Sequence, residues 1–230
     1  MKLIKLTDQS GETQNNTQWG ENVTHTIPEP DRKTEMCGSG ILHAYQSIEQ
    51  VLLLNSRHAD IPDPVVWEAE GEPVVTAWDK CGCHTLTTVS RIDYPGWYAN
   101  PVIRQKVQVM FAVLCAEQVL PIFEEKYPTD DSPRKACEAA RAWIKNPSDS
   151  TTYAATYAAR SAESSWAVVY TTRFTRAAEA AWASAWAARS THHSSYYAPY
   201  AASATASASA TDIDITALAR QAIHTIMGDL

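Results

Sequence analysis

The pattern of apolar and polar residues changes character near residue 100. Before that point, short apolar runs alternate with turns rich in Gly, Pro, Asn and Asp, which is typical of strands joined by loops. The strand-like runs are LIKLT, VVWEAEG, PVVTAWD and HTLTTVSRID. The run SIEQVLLLN instead fills one helical face and follows the capping position of Ser47. Residues 1–100 are therefore predicted to form a small α/β domain with a mostly antiparallel sheet.

Residues 101–230 have a helical pattern. No glycine lies between Trp97 and Met227, and alanine, the best helix former, is abundant. The segment PVIRQKVQVMFAVLCAEQVLPIFEEKY predicts an amphipathic helix that Pro121 kinks or splits. A second helix, RKACEAARAWIK, is predicted to begin with Ser132 as its cap and Pro133 in its first turn. Arg134 and Glu138 lie four residues apart on this helix and are expected to pair.

The alanine-rich stretch 151–210 is the most distinctive part of the chain. A helix over 151–190 would be about 60 Å long, so we predict a break at the β-branched cluster 168–172. The sequence STHHSS predicts the next connection, and a further helix is expected over 198–210. Because alanine side chains are small, these helices should pack closely, with tryptophan rings filling the remaining space.

A last helix is predicted to open at Thr211 or Asp212 and to end at Gly228. The fold class predicted for the whole chain is α+β. It consists of a small N-terminal α/β domain at 1–100 and an alanine-rich, all-α helical bundle at 101–230.

The net charge of −7 comes from the first part of the chain. Residues 1–100 hold 7 Lys and Arg against 14 Asp and Glu, whereas residues 101–230 hold 12 of each. A duplex nucleic acid needs a basic face, so we do not expect one as a partner. The neutral helical part can meet a copy of itself without charge repulsion, and we expect a homo-oligomer, of which the symmetric dimer is the commonest kind.

The N-terminal sequence MKLIKLTDQS lacks the apolar run of a signal peptide, and no run of about 18 apolar residues predicts a membrane span. The five cysteines are odd in number and scattered, which fits reduced thiols. We therefore expect a cytoplasmic protein that does not associate with membranes.

A group of cysteines and histidines in the α/β part raises the question of a metal site. Cys81, Cys83 and His84 could bind a metal together with Cys37 and His43. Zinc sites usually use a Cys-x-x-Cys pair, however, and on a strand His84 would point away from the two cysteines. We interpret these residues as structural thiols and a surface histidine, and we expect neither a metal nor a cofactor.

His43 and Tyr45 follow a glycine-rich turn. Gly38 and Gly40 would let backbone N–H groups approach an anion, and His43 could then contact a phosphate. The turn with its His and Tyr also resembles ADP-ribosyltransferase-type folds, although the catalytic glutamate pattern is missing. The alternative is a buried histidine that forms a hydrogen bond to the sheet.

The helical part contains aromatic and basic residues at helical spacing. Within each of three groups, the residues are spaced so that they share one helical face. The groups are Tyr153, Tyr157 and Arg160; Tyr170, Arg173 and Phe174; and Trp182, Trp186 and Arg189. Aromatic faces stack on bases and arginines bind phosphates, so these groups could hold a nucleotide. The candidate ligand-binding residues are His43, Tyr45, Tyr153, Tyr157, Arg160, Tyr170, Arg173, Arg176, Trp186, Arg189, His192 and His193.

Each of these groups also has a structural interpretation. Trp166, Trp182 and Trp186 could fill the core between alanine-rich helices. The arginines could lie on a solvated face, with Arg160 and Arg176 pairing with the glutamates three residues later. The pair His192 and His193, with two nearby tyrosines, forms either the rim of a pocket or a polar connection.

Two segments resemble known families. The segment CGSGILHAY, followed by LLLNSRHADIPDPVVWEAEG and KCGCHTLTTVSRI, resembles uncharacterised bacteriophage and prophage proteins with a Cys-x-x-Gly-x-x-His-Ala core, an apolar helix and a Trp-x-Ala-x-Gly strand. The segment LCAEQVLPIFEEKYPTDDSPRKACEAARAWIK is similar to immunity-protein domains, with the match strongest at 128–143. These resemblances imply a phage or mobile-element setting in the host cytoplasm, where small proteins commonly neutralise a toxin or a host defence. Neither family supplies catalytic residues.

The chain carries no phosphate-binding Gly-x-x-x-x-Gly-Lys loop, no Gly-x-Ser-x-Gly elbow and no His-Glu-x-x-His motif, so we expect a non-catalytic protein. Our first hypothesis is a phage-type anti-defence protein that sequesters a nucleotide-like immune signalling molecule. The second is an immunity-type inhibitor of a toxin or host effector protein, in which the acidic first hundred residues would form the contact face. The third is a nucleotide-acting, ADP-ribosyltransferase-like enzyme centred on His43.

Overall fold

The computed structural model describes residues 1–13, 16–36, 38–167, 173–209 and 213–229, except for the side chains of 164–167, 173–175 and 191–192. The chain divides into two compact units, Met1–Pro95 (unit 1) and Gly96–Leu230 (unit 2). Unit 1 is built on an antiparallel sheet and unit 2 is helical, so the predicted α+β class is confirmed.

Unit 1 contains a five-stranded sheet in the order β1-β6-β7-β4, with β5 also paired to β7. All of these pairings are antiparallel. A separate two-stranded ribbon joins β2 and β3. The strands are β1 Lys2–Thr7, β2 Glu12–Thr13, β3 Thr17–Gln18, β4 Val23–Thr26, β5 Leu42–Ala44, β6 Val65–Thr76 and β7 Cys81–Ile92.

The two strands predicted at VVWEAEG and PVVTAWD are one strand in the structure. β6 runs through both segments and pairs with β7, with shifts of register around Gly71 and Pro73. Proline has no N–H to donate to a ladder and is therefore found at bulges or edges. The bulge accommodates Pro73 without ending the strand. The sequence pattern alone therefore could not predict that the two segments form one continuous strand.

The single long helix of unit 1, α1 Ile48–His58, begins where the sequence predicts. Ser47 is its N-cap, and its side-chain hydroxyl accepts a hydrogen bond from the Gln50 N–H at 3.1 Å. Val51 and the three leucines that follow are buried. The helix thereby covers an apolar face that would otherwise meet water.

Unit 2 is formed by α2 Gly96–Ala99, α3 Pro101–Lys126, α4 Ser132–Lys145, α5 Asp149–Ala167, α6 Arg173–Ala187, α7 Thr191–Ala208 and α8 Ile215–Gly228. The central helix is α3, which packs against α4, α6, α7 and α8. Every residue from Val107 to Ala116 is buried, so this part of α3 is surrounded by protein on all sides. The Thr205 hydroxyl of α7 donates to the Cys115 carbonyl of α3 at 2.8 Å.

By length and composition α3 could cross a membrane, and 72% of its most apolar window is buried inside the protein. A single helix of this kind is weak support for a membrane span, because the core helix of a folded unit meets the same criteria.

The alanines of α6 pack closely. Eight alanines between 177 and 188 have no exposed surface. One contact cluster brings together Ala136 of α4, Ala159 and Ala162 of α5, and Ala185 of α6. Methyl groups at these positions let the helix axes approach one another closely, as the composition predicts.

Several local predictions in unit 2 are wrong. α3 is one helix that continues through Pro121, so Pro121 does not split it, one of the two outcomes predicted for this residue. Arg134 binds Glu124 of α3 in a bidentate ion pair, with both N–O distances 2.6 Å, and not Glu138. The cap position of α4 is Asp131, and the Asp130 carboxylate accepts from the Ser132 N–H at 3.0 Å.

The prediction of a loop at STHHSS is wrong as well. Ser190 is an N-cap whose hydroxyl accepts from the His193 N–H at 3.2 Å, so α7 begins at Thr191 and already contains both histidines. α8 is capped by Asp214, beyond the predicted start at Thr211 or Asp212, and its last residue is Gly228 as predicted. The predicted break at 168–172 lies outside the described residues.

Candidate functional site

Unit 1 contains a cavity of about 620 Å³. Its walls come from β1, β5, the loops around Trp19 and Gly38, and the residues that follow α1. Two of the residues predicted to bind a ligand, His43 and Tyr45, line this cavity together with Lys5. The volume lies in the range of small-molecule sites, which is roughly 300–1,000 Å³.

Lys5 is the most unusual residue of this cavity. It is only 8% exposed, and its ammonium donates a hydrogen bond to the His43 carbonyl at 2.9 Å. The same Nζ lies 4.9 Å from the centroid of the Trp19 ring, a cation–π distance. Burial lowers the pKa of Lys5 from 10.5 to about 8. The group is therefore still charged at neutral pH.

Trp19, beneath the ammonium, is held on two sides. Its indole N–H donates to the Thr13 hydroxyl at 3.0 Å, and its ring packs edge-on against His25 with centroids 4.6 Å apart. The ring is 3% exposed. The cation–π partner of Lys5 is thus fixed before any ligand arrives.

His43 is half-buried on β5. Its Nε2 forms a short hydrogen bond to the Met36 carbonyl, and since a carbonyl only accepts, Nε2 carries the proton. Burial lowers the pKa of His43, and the Met36 contact opposes this only in part. The imidazole is therefore neutral at pH 7. His43 therefore forms a hydrogen bond to the loop at Met36, and not to the sheet as the structural interpretation expected, and it also lines the cavity.

The glycine turn before His43 has a more structural role than the sequence suggested. The Gly38 N–H donates to the Glu35 carbonyl at 3.1 Å. A Cβ on Gly40 would lie 2.4 Å from the Asp31 carbonyl oxygen, so the glycine permits a close approach of two backbone segments. The turn therefore closes the 31–40 loop on itself.

Tyr45 and His58 also line the cavity, and His58 contacts Asp79 outside it. Tyr45 is 5% exposed, and burial raises the pKa of its hydroxyl, so the group stays protonated. His58 Nε2 lies 2.8 Å from Asp79 Oδ2, with both side chains nearly buried. Burial tends to raise the pKa of Asp79, but the contact with His58 outweighs it and the pKa is lowered.

Cys81 and Cys83 lie on β7, the strand that pairs with β5. Leu42 pairs with Cys83 and Ala44 with Cys81, so the two segments that resemble phage proteins are neighbours in the sheet. The Cys81 thiol is within 3.4 Å of the Ala44 carbonyl. His84 binds the Lys33 carbonyl at 2.9 Å. The residues that the structure describes contain no group of three or more metal-ligating side chains, and Cys37 lies outside them.

A second feature is the outer face of α5 in unit 2. Tyr153 is 81% exposed and Tyr157 is 72% exposed, one helical turn apart. Arg160 is exposed on the same face, as the spacing predicts. Beside the tyrosines a groove of about 680 Å³ runs between α4 and α5 and includes Lys135. We call Tyr153, Tyr157 and Arg160 the α5 face.

The α5 face rests on a rigid support. The indole N–H of Trp143 on α4 donates to the Thr152 hydroxyl of α5 at 3.0 Å. On the opposite side of the helix, Ala155, Ala159 and Ala162 are fully buried. The exposed side chains therefore project from a helix whose position is fixed by packing.

The other aromatic residues of unit 2 pack on one another. The rings of Trp186, His193 and Tyr197 lie 5.9–6.0 Å apart, centroid to centroid, with interplanar angles of 16–24°. Trp182 meets Tyr197 edge-on at 5.1 Å. The Arg189 guanidinium lies over Trp186 at 5.1 Å. This cluster lines neither of the two hollows described above.

The remaining predicted residues have other surroundings. Arg176 forms an ion pair with Glu179 at 2.7 Å, as the spacing predicts. Tyr170 lies outside the described residues, and the side chains of Arg173, Phe174, Trp166 and His192 are not described. Sequence reasoning therefore named residues that lie in three places: the unit 1 cavity, the α5 face and the Trp186 cluster.

Two residues that line the unit 1 cavity, Lys5 and Trp19, were not among the predicted binding residues. Lys5 stands in the strand LIKLT, where alternation would place a lysine toward solvent. The one available signal was a charged residue inside an apolar run. Trp19 lies in a polar loop, where its burial could not be foreseen.

The helical unit identifies the family. Residues 102–227 match the family described as Imm-5 like putative immunity protein, and because this match spans more than half of the chain, the protein belongs to that family. The match confirms the immunity-type character predicted for the helical part. No curated protein and no solved structure matches the chain.

Proposed function

We propose that this protein is a non-catalytic immunity protein that binds a protein toxin or effector and blocks it. The proposal rests on the family match over residues 102–227 and on the α5 face within that region. Immunity by this route needs a stable surface that fits a partner, and it needs no catalytic group on the inhibitor.

The α5 face has the composition of an interface centre. Tyr, Trp and Arg are the residues most enriched among interface hot spots. Tyr153 has the largest exposed fraction of the exposed large hydrophobic side chains that the structure describes. Arg160 makes no ion pair with any described residue, so its guanidinium is available to a carboxylate of a partner. Two exposed tyrosines and an arginine without an ion pair to any described residue, all on one helix, therefore support a protein contact.

The first experiment tests whether the protein protects cells from a toxic effector. Effector candidates encoded beside this gene are expressed in cells with and without the protein, and survival is measured. We expect one of them to be toxic alone and harmless when co-expressed. The purified pair is then used to measure the dissociation constant by calorimetry.

Substitution of Tyr153→Ala or Tyr157→Ala should each weaken binding about 30-fold, since a hot-spot truncation costs about 2 kcal/mol and each 1.4 kcal/mol is tenfold. Tyr196→Ala is the matched control, because Tyr196 is also an exposed tyrosine, at 55%, but lies on α7. Unchanged affinity in both α5 variants, or an equal loss in the control, would remove the α5 face from the proposal.

Sequestration of a nucleotide-like molecule is a second candidate. The groove of about 680 Å³ beside Tyr153 and Tyr157 supports it, because the volume suits a small ligand and tyrosines stack on bases. Two other residues predicted to bind the nucleotide are less available to a ligand. Arg176 is already paired with Glu179, and the Trp186 ring packs against His193 and Tyr197. Calorimetry with cyclic nucleotides and ADP-ribose tests this candidate. Absence of heat with all of them would reject it.

A further inference from the structure

The buried lysine of unit 1 lacks a carboxylate counter-ion among the residues that the structure describes. Lys5 has three N–H donors, and its described contacts are one hydrogen bond, to the His43 carbonyl, the face of Trp19, and an electrostatic interaction with the Cys83 thiol. Buried charges in proteins are normally paired, because an unpaired charge loses its hydration without compensation. Burial of the Lys5 ammonium without a carboxylate partner lowers the stability of the fold. A role in ligand binding would account for its position.

The cavity next to Lys5 is where its missing partner could bind. Lys5 is one of the residues that line this hollow of about 620 Å³. The apolar part of the lining includes Ile41 and Leu42, and the polar part includes Ser39 and the neutral imidazole of His43. Polar and apolar groups share the lining about equally, so the hollow offers several groups that can orient a small ligand.

The distribution of charge favours an anion near Lys5. The Asp8 carboxylate already accepts from the N–H groups of Ser10 and Glu12, at 2.9 and 2.7 Å. Asp79 is in contact with His58. Asp79 does not line the cavity, and the two remaining acidic residues of the lining, Glu12 and Asp60, are exposed. Lys80, the second lysine of the lining, is half-buried. The buried end of the cavity therefore carries the positive charge of Lys5.

We propose that the unit 1 cavity binds the anionic group of a small ligand, a carboxylate or a phosphate monoester, with the Lys5 ammonium as its counter-ion. His43 and Ser39 lie in the same lining and can add neutral hydrogen bonds to the ligand. This site is in unit 1, outside residues 102–227, and it stands independently of the proposed immunity function.

The test observes the lysine ammonium groups directly, by NMR of the full chain with isotope-labelled lysine. The Lys5 signal is assigned by its absence in Lys5→Met. Inorganic phosphate and acetate are titrated separately at constant ionic strength, with chloride as the replaced anion. Lys2 serves as the internal control, because it is on the same strand, exposed and already paired with Glu68 at 2.6 Å.

A saturable shift of the Lys5 signal with no shift of the Lys2 signal is the expected result. Saturation with phosphate alone identifies a phosphoryl ligand, and saturation with acetate alone or with both identifies a carboxylate as an accepted group. If neither anion moves the Lys5 signal, or if both lysines shift in parallel, the proposal is overturned. The outcome does not depend on whether the α5 face binds a protein.

Discussion

Replacing Lys5 by methionine should make unit 1 more stable at neutral pH. Methionine keeps the length of the side chain and removes the charge. Replacing buried charges by apolar residues of similar volume is often neutral or stabilising. In a protein whose lysine served only the fold, the same change would remove a needed interaction and destabilise it.

The size of the effect follows from the pKa of Lys5. Burial moves this pKa from 10.5 to about 8, and because each pH unit corresponds to about 1.4 kcal/mol, the charged form costs about 3 kcal/mol in the folded state. The variant also loses the hydrogen bond to the His43 carbonyl, which is worth about 1 kcal/mol. The expected net gain at pH 7 is therefore about 2 kcal/mol in the free energy of unfolding.

The gain should disappear at high pH. A lowered pKa means that the folded protein holds fewer protons than the unfolded chain between about pH 8 and 10.5, so wild-type stability rises across that interval. The variant lacks this rise. The difference between the two proteins should be constant below pH 8 and shrink as the pH approaches 10.5.

Urea unfolding followed by thiol labelling measures unit 1 by itself. Cys81 and Cys83 are fully buried there, and Cys115 is fully buried in unit 2, so labelling sites read by mass spectrometry separate the two transitions. Lys2→Met is the control and should leave the urea midpoint of unit 1 unchanged, because exposed ion pairs contribute little. A Lys5→Met protein less stable than wild type at pH 7, or a difference that does not vary with pH, would refute this account of Lys5.

Four further outcomes are expected. Ser47→Ala should lower the stability of unit 1 by about 1 kcal/mol in the same labelling experiment, because it removes the cap of α1. Ala181→Leu should destabilise unit 2 by about 1–3 kcal/mol through overpacking in thermal unfolding, whereas Ala154→Leu on the exposed side of α5 should change little. Burial raises the pKa of Cys137 to about 12, so its alkylation in the native protein at pH 8 should be far slower than in urea, and equal rates would contradict its buried position. Sedimentation at several concentrations should show self-association, and a strict monomer would oppose the expected homo-oligomer.

The sequence predicted features that depend on local chemistry. The Ser47 cap, the antiparallel sheet, the helical second part and the shared face of Tyr153, Tyr157 and Arg160 all follow from periodicity or capping. These signals are carried by neighbouring residues, and the structure agrees with them.

The sequence-based predictions fail where a residue's contacts are determined by a partner that is distant in the sequence. Arg134 has an acceptor four residues away, but Glu124 on the preceding helix offers both carboxylate oxygens at 2.6 Å. The sequence pattern places the start of a new strand at Pro73. In the structure a bulge in the pairing with β7 accommodates Pro73 inside β6, and this pairing is not visible in the local sequence. The burial of Lys5 likewise depends on Trp19 and β5, which local spacing could not reveal.

The alanine interior of unit 2 has a consequence for how this protein can diverge. Helices separated only by methyl groups leave no room for larger side chains, so sequence change is restricted at those positions. Residues on the outer side of α5 have no such restriction. New binding preferences can therefore arise there by surface substitution alone, while the helical framework beneath is inherited unchanged.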